Sequence, residues 1–284
     1  MTLILRKCKS DGSSSNGFKY GQVGDRVMCP DWHPNPECGN GLHGLKEGNG
    51  DWGLLDGNDW LIIDADDLVV DIDEEKCKFN TGVILFRGTT EELVNSEFPN
   101  KLKLDEKSAY YWAIKIGNHD IMINKINTSK CACYWAMDIG NHDLMINKIT
   151  ESFDAYLWAL EIGNQDIMIH RINDSESAYL WALEIGNEDI MIDKINESEW
   201  AFYWAKYIDN KDVMMHRINN SYYAYRWALE IGNHDIMIDK ITSSVYVYNW
   251  FKNIGLSPGI KCKVIIKLCK SIWNFTFPKF KIKL

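Results

Sequence analysis

Hydrophobic and polar positions in the second half of the chain recur every 23 residues. A fixed period in this range is typical of repeat proteins, in which neighbouring units bury each other's apolar faces. The pattern predicts six complete copies and the first half of a seventh. A tryptophan marks each copy: Trp112, Trp135, Trp158, Trp181, Trp204, Trp227 and Trp250.

Numbered from its tryptophan as position 0, each copy predicts two short helices. Alanine at −3 and +1 and isoleucine at +4 share a helical face with the tryptophan, and glycine at +5 ends that helix. The second half reads Asn-x-Asp-Ile-Met-Ile-x-Lys-Ile, as in 233–241. The apolar residues of this half, at +9, +10, +11 and +14, predict one broad apolar face on the second helix. We expect asparagine at +6 to cap this second helix, Lys or Arg at +13 to lie near its carbonyl end, and serine at +17 to cap the next tryptophan helix.

The residues before the array predict a different fold. Apolar, β-branched runs at 60–63, 68–72 and 82–86 predict strands, and 89–95 predicts a short threonine-capped helix. The chain is therefore expected to be α+β. It would consist of a strand-rich head (1–98), an α-solenoid of 23-residue helix-turn-helix units (99–255) and a basic C-terminal cap or tail (256–284).

Charge is distributed unevenly along the chain. Residues 1–108 and 109–254 each hold 20 acidic and 12 basic side chains, whereas the last 30 residues hold seven lysines and no acid. An acidic array argues against nucleic-acid binding, which needs a basic surface. The tail could contact an anionic membrane or an acidic surface. No apolar run is long enough to span a membrane, and the N-terminal residues lack a secretory hydrophobic core, so we expect the protein to be neither transmembrane nor secreted.

Three segments of the head carry a resemblance: Gly17-Phe-Lys-Tyr, Cys38-Gly-Asn-Gly-Leu-His-Gly-Leu and Asp59-Trp-Leu-Ile-Ile-Asp. They resemble an uncharacterised N-terminal module of phage and large DNA virus proteins, often followed by repeats. The array is similar to the short Ala-Tyr-x-Trp-Ala helical repeats of giant-virus proteins. The resemblance implies a viral origin, with residence in the host cytoplasm or the virion, and supplies no activity.

Positions that vary between copies are candidates for a recognition surface, although solvated helix faces would vary in the same way. Position −1 lies opposite the Ala/Ile stripe and holds large side chains that are frequent interface anchors. The candidate binding residues at −1 are Tyr111, Tyr134, Leu157, Leu180, Tyr203 and Arg226.

The glycine-rich segment 38–57 allows three interpretations. Cys29, His33, Cys38 and His43 could bind zinc, although their spacing lacks the paired Cys-x2-Cys arrangement. His43 could serve a site like that of ADP-ribosyltransferases with a His-Tyr-Glu set, recruiting Tyr20 or Glu91. His43 could also be a structural histidine beside a buried cysteine.

The sequence favours a non-enzymatic viral adaptor that binds a protein partner through the array. No cofactor is expected, and self-association is possible. The alternative is an enzyme or small-molecule-binding protein with its site near His43. A structural virion or filament component is the third hypothesis, since the ends of open arrays can stack.

Overall fold

A computed structural model describes residues 1–66, 68–253 and 265–267, without the side chain of Phe251. The chain divides into two compact units, Met1–Ile149 and Thr150–Leu284. The fold is α+β, with an antiparallel sheet followed by a helical region. The described residues contain no helix that is long and apolar enough to cross a membrane. Apart from 265–267, the expected cap or tail at 256–284 lies outside the described residues.

Seven strands form one sheet in the order β2-β7-β4-β1-β3-β6-β5, and every neighbouring pair is antiparallel. The strands are β1 (Thr2–Cys8), β2 (Arg26–Met28), β3 (Leu42–Lys46), β4 (Asp59–Ala65), β5 (Val69–Asp71), β6 (Cys77–Phe79) and β7 (Thr81–Gly88).

The three strands predicted from the sequence are present as β4, β5 and β7, but the central strand β1 was missed. Strand β3 lies inside the glycine-rich segment, so His43 is on a strand rather than in a loop. Gly44 explains the composition there. A Cβ at this position would lie 2.4 Å from Cγ2 of Ile4 and 3.0 Å from the carbonyl oxygen of Leu5. Only glycine lets β3 approach β1 so closely.

Two short helices follow the sheet. Helix α1 (Thr90–Val94) has the predicted threonine cap, because the Thr89 side chain accepts a hydrogen bond from the backbone of Glu92 and Glu92 bonds back. Helix α2 (Phe98–Lys101) spans the expected boundary between head and array. A 3-10 turn, Trp52–Leu54, places Trp52 with its ring centroid 5.9 Å from those of both Trp60 and Trp112.

Every copy of the repeat begins with a ten-residue helix that carries the tryptophan. These helices are α3 (Glu106–Lys115), α5 (Ser129–Asp138), α7 (Ser152–Glu161), α9 (Ser175–Glu184), α11 (Ser198–Tyr207), α13 (Ser221–Glu230) and α15 (Ser244–Asn253).

The second helix of each complete copy is shorter. In four copies it is one α-helical turn followed by a 3-10 turn: α4 (His119–Met122) with Ile123–Lys125, α6 (His142–Met145) with Ile146–Lys148, α8 (Gln165–Met168) with Ile169–Arg171, and α10 (Glu188–Met191) with Ile192–Lys194. In the last two copies it is one seven-residue α-helix: α12 (Lys211–Arg217) and α14 (His234–Lys240).

A Gly-Asn pair joins the two helices in five copies, and Asp209-Asn210 takes its place in the fifth. In the third copy Gly163 has φ 106° and its N–H donates to the carbonyl of Trp158 over 3.1 Å, as expected for a left-handed helix stop. Asn164 occupies the N-cap position, but it is also left-handed (φ 56°) and its side chain makes no capping hydrogen bond. The asparagine therefore serves the turn through its backbone, since it tolerates this conformation better than most residues.

The predicted role of the repeat serine is wrong by one residue. In the fourth copy Ser175 is the first helical residue, and Asp174 caps the helix by accepting from the N–H of Ser177 over 2.8 Å. Ser175 is buried and instead bonds to Asn196, 21 residues later. The position is occupied by serine because a small hydroxyl fits this buried turn and satisfies its backbone.

The array core follows the predicted stripe. All seven tryptophans of the repeat are fully buried, together with the alanines at −3 and +1 in the six complete copies. The methionine at +10 and the isoleucine at +14 are also buried. Helices this short are marginal in isolation, so this packing must stabilise them.

Candidate functional site

A cleft of about 480 Å³ lies in the head, beside β1 and β3. Its size is that of a small-molecule site. The cleft is lined by the side chains of Arg6, Tyr20 and His43, and Phe18 and Leu42 contribute apolar walls. Sequence reasoning had identified His43 and Tyr20, but it missed Arg6, because an arginine within an unrecognised strand gave no signal.

Arg6 has no counter-ion among the described residues. Its guanidinium lies over the Tyr20 ring, 4.3 Å from the centroid, and donates a hydrogen bond to the Tyr20 hydroxyl. Among the described residues no carboxylate lies within ion-pair distance of Arg6, and its buried Nε has no hydrogen-bond partner. Burial lowers the pKa of Arg6 to about 10, so the group remains positive at neutral pH.

His43 is half-buried in the same cleft, and its Nε2 is buried without a hydrogen-bond partner among the described residues. Burial lowers the pKa of His43, and the nearby positive charges of Arg6, Lys78 and Lys76 lower it further. The imidazole is therefore neutral at physiological pH and can donate or accept one hydrogen bond at Nε2.

The structure does not assemble the other predicted head sites. Within the described residues, no group of three or more Cys, His, Asp or Glu side chains is placed to hold a metal ion. Of the zinc candidates, Cys29 is buried and bonds to Asp31, and Cys38 is exposed. His33 contacts Asn35. For the ADP-ribosyltransferase-like hypothesis, Tyr20 lines the cleft with His43, whereas Glu91 lies on α1 and does not line it.

In the first unit, the −1 candidates Tyr111 and Tyr134 lie on neighbouring tryptophan helices. Tyr134 is 39% exposed and Tyr111 is half-buried. Both contact Tyr110 at position −2, with ring centroids 5.5 Å and 6.5 Å away. Tyr111 thus packs against a residue of its own helix, and Tyr134 packs against a residue of the preceding tryptophan helix.

In the second unit, the four −1 candidates, Leu157, Leu180, Tyr203 and Arg226, are all half-buried. Tyr203 packs among other aromatic rings, 5.9 Å from Trp200 and 6.2 Å from Tyr207.

Arg226 is held by its own array. Its guanidinium lies 4.5 Å from the ring centroid of Phe202 and forms a 2.8 Å ion pair with Glu230, which also pairs with Lys206 at 2.7 Å. Although burial opposes the charge, the hydrogen bonds to Glu230 and Tyr203 keep the pKa of Arg226 above its ordinary value. These contacts join the fifth and sixth copies. The Arg226 side chain is therefore engaged in contacts within the array, which makes it a weaker candidate for binding a partner.

Two other positions of the second unit carry apolar side chains that face solvent. We call them the +2 row (Leu160, Leu183 and Leu229) and the +9 row (Ile167, Ile190, Val213 and Ile236). Lys206 occupies +2 in the fifth copy, between Leu183 and Leu229. The +2 row is 42–45% exposed and the +9 row 41–51% exposed. In the first unit Ile114 at +2 and Leu144 at +9 are also exposed.

The exposure of +9 corrects the prediction of one broad apolar face. The second helix is only about one α-helical turn long in most copies, so one side of it can face the tryptophan helix. Met168 at +10 and Ile172 at +14 occupy that side and are fully buried, which leaves Ile167 at +9 outside. Packing in the core therefore does not explain why position +9 is apolar.

Comparisons with protein-family models, with curated proteins and with solved structures find no match to this chain.

Acidic side chains accompany the exposed apolar rows. Position +8 is aspartate in every complete copy and precedes the +9 residue directly. In the second unit these aspartates are all exposed: Asp166, Asp189, Asp212 and Asp235. A negative charge in the first turn favours the helix, which explains part of the repetition. It also gives the apolar surface an acidic rim.

Proposed function

We propose that the chain is a non-enzymatic binding protein that engages a protein partner through its helical array. The observation that carries the proposal is the repeated exposure of apolar residues at +2 and +9. Single exposed leucines are ordinary, but a contiguous apolar surface rimmed by polar groups is typical of interaction sites. The array is proposed to be a right-handed α-solenoid, and such stacks provide extended binding surfaces. A viral adaptor in the host cytoplasm or virion remains the proposed setting.

The rows are regular enough to bind an extended or helical segment. Packed helices lie about 8–10 Å apart, so equivalent side chains of successive copies recur at roughly that interval. A peptide helix rises about 5.4 Å per turn and can present apolar side chains at comparable intervals. Because aspartates rim the rows, the favoured partner segment combines apolar anchors with lysine or arginine.

The proposed surface differs from the one that the sequence indicated. Two of the −1 candidates contact the preceding copy: Tyr134 packs against Tyr110, and Arg226 lies over Phe202. These contacts stabilise the stack, whereas the side chains of the +2 and +9 rows are 41–51% exposed. Tyr134, at 39% exposure, is the −1 candidate that most resembles a member of the surface.

The test is a triple variant, Leu160→Ser, Leu183→Ser and Leu229→Ser, in the full chain. Exposed substitutions of this kind usually change stability by about 0.5 kcal/mol or less each, so the fold should persist. Affinity purification from host cells should lose the specific partner by tenfold or more, roughly 1.4 kcal/mol of binding free energy. Circular dichroism monitors the fold.

The matched control is Glu161→Ser and Glu184→Ser, which changes the neighbouring +3 position in two of the same copies. Glu230, at +3 of the third, is left unchanged because it pairs with Arg226 and Lys206. The glutamate variant should retain the partner to a greater degree. Equal loss in both variants, or full capture by the leucine variant, would reject the +2 row as the binding surface.

A further inference from the structure

The head cleft carries an inference that is independent of the array. Buried charges in proteins are almost always paired, because an isolated charge away from water is costly. Within the part of the chain that the structure describes, Arg6 departs from this rule, because its Nε is buried without a partner. Arg6 is on the central strand β1, which pairs with β3 and β4.

A second arginine of the same sheet shows what a purely structural guanidinium looks like. Arg87 on β7 pairs with Asp59 at 3.2 Å and donates to the carbonyls of Gly21 at 3.0 Å and Ser10 at 2.8 Å. Its donors are used within the fold. Arg6 contacts the ring and hydroxyl of Tyr20 and leaves its Nε–H without a partner among the described residues.

A second residue with an unpartnered buried nitrogen lines the same cleft, which is large enough for a small ligand. Arg6 and His43 line the same 480 Å³ cleft, and His43 Nε2 is also buried without a partner among the described residues. The other charged groups lining the cleft are Lys7, Lys76, Asp31 and Asp56. Three cations against two carboxylates leave the lining with a positive balance.

We propose that this cleft binds a small organic anion whose carboxylate or phosphate group is received by Arg6 and hydrogen-bonded by His43. A guanidinium presents parallel donors that match such an oxyanion. Phe18, Leu42 and Leu54 supply apolar walls for the body of the ligand. Tyr20 holds the guanidinium through its ring and its hydroxyl, and the Nε–H is the donor that we expect the oxyanion to engage. The negative charge of the ligand would balance the positive charge of Arg6.

The test uses the full chain, labelled with ¹⁵N, and three probes that share one ring: benzoate, phenyl phosphate and neutral benzyl alcohol. The Nε–H signal of Arg6 is followed by two-dimensional NMR, with its assignment checked by its loss in Arg6→Lys. We expect at least one of the two anions to shift this signal saturably and benzyl alcohol to leave it unchanged. The anion that saturates at lower concentration identifies carboxylate or phosphate as the preferred group.

Arg87 is the internal control, because its Nε–H is already bonded and should not move. Thermal unfolding gives a second readout: the effective anion should raise the Tm of the wild-type chain and not that of Arg6→Met. Should Arg6→Met fail to fold, the wild-type NMR titration still decides. The proposal is overturned if neither anion shifts the Arg6 signal, if sodium chloride at equal ionic strength reproduces the shift, or if benzyl alcohol acts equally.

Discussion

The ammonium group of Lys194 donates a 2.6 Å hydrogen bond to the carbonyl oxygen of Ile172 in the preceding copy of the repeat. Lys240 makes the equivalent bond to Ile218 at 2.8 Å. Lys267, in the described segment 265–267, bonds to Ile241 at 2.9 Å and so extends the series beyond the last complete copy. The cation at +13 therefore joins neighbouring copies instead of serving only its own helix end.

Replacing this cation should weaken the stack. Lys194→Met keeps the aliphatic stem but leaves the Ile172 carbonyl without this donor, at an expected cost of about 1–2 kcal/mol in the free energy of unfolding. Lys211→Met, at the exposed position +7, is the matched control and should change it by about 0.5 kcal/mol or less. Urea unfolding of both variants measures the difference. Equal losses of unfolding free energy would show that the hydrogen bond of the +13 cation does not stabilise the stack.

A second prediction concerns the buried serine of the repeat. Ser175 Oγ lies 2.9 Å from Asn196 Oδ1 and accepts the Asn196 N–H at 2.9 Å. Ser175→Ala leaves these buried groups unsatisfied and should cost about 1–3 kcal/mol. Ser108 offers the contrast, since its buried Oγ has no hydrogen-bond partner among the described residues.

Ser108→Ala should therefore be neutral or slightly stabilising in the same unfolding assay. If Ser108→Ala lowers the free energy of unfolding as much as Ser175→Ala, the hydrogen bonds of Ser175 do not account for its contribution to stability.

These two contacts show where sequence reasoning stops. The period and the apolar stripe predicted the helix pairs correctly, because burial of Trp181 and its neighbours is encoded locally by spacing. The partners of Ser175 and Lys194 lie about one repeat away along the chain. Local capping rules therefore assigned both side chains to the helix that was nearest in sequence.

The head was less predictable for the same physical reason. Strand β3 is glycine-rich and has low intrinsic strand preference, and it exists because Gly44 lets it approach β1. Arg6 became a candidate only when the sheet placed it beside Tyr20 and His43. A cleft is a property of tertiary packing, so neither the composition nor the spacing of residues predicted it.

The tryptophan core gives a third prediction. Trp181 is fully buried, and Trp181→Ala should cost about 3–5 kcal/mol through lost contacts and the cavity that remains. Leu183→Ala in the same helix removes a side chain that is 45% exposed and should cost much less. Similar losses of unfolding free energy for the two variants would contradict the observed orientation of this helix.

The pKa of His43 gives a fourth prediction. Burial and neighbouring cations lower this pKa below its ordinary value of 6.5, so near and below pH 6.5 the unfolded chain binds a proton that the folded chain does not. The folded state therefore loses stability as the pH falls through 6.5. Wild-type protein should lose more unfolding free energy between pH 7.5 and pH 5 than His43→Gln, as measured by urea titration. An equal loss in both proteins would mean that His43 is not held neutral by the fold.

The central claim, that the +2 and +9 rows bind a protein partner, is tested most directly by site-specific photo-crosslinking in host cells. A photo-reactive phenylalanine analogue is placed in turn at Leu183, at Ile190 and at the exposed control position His170. The account predicts that Leu183 and Ile190 crosslink to the same discrete partner and that His170 gives little or none of that adduct. Crosslinking that is absent from both row positions, or equally strong at His170, would contradict it.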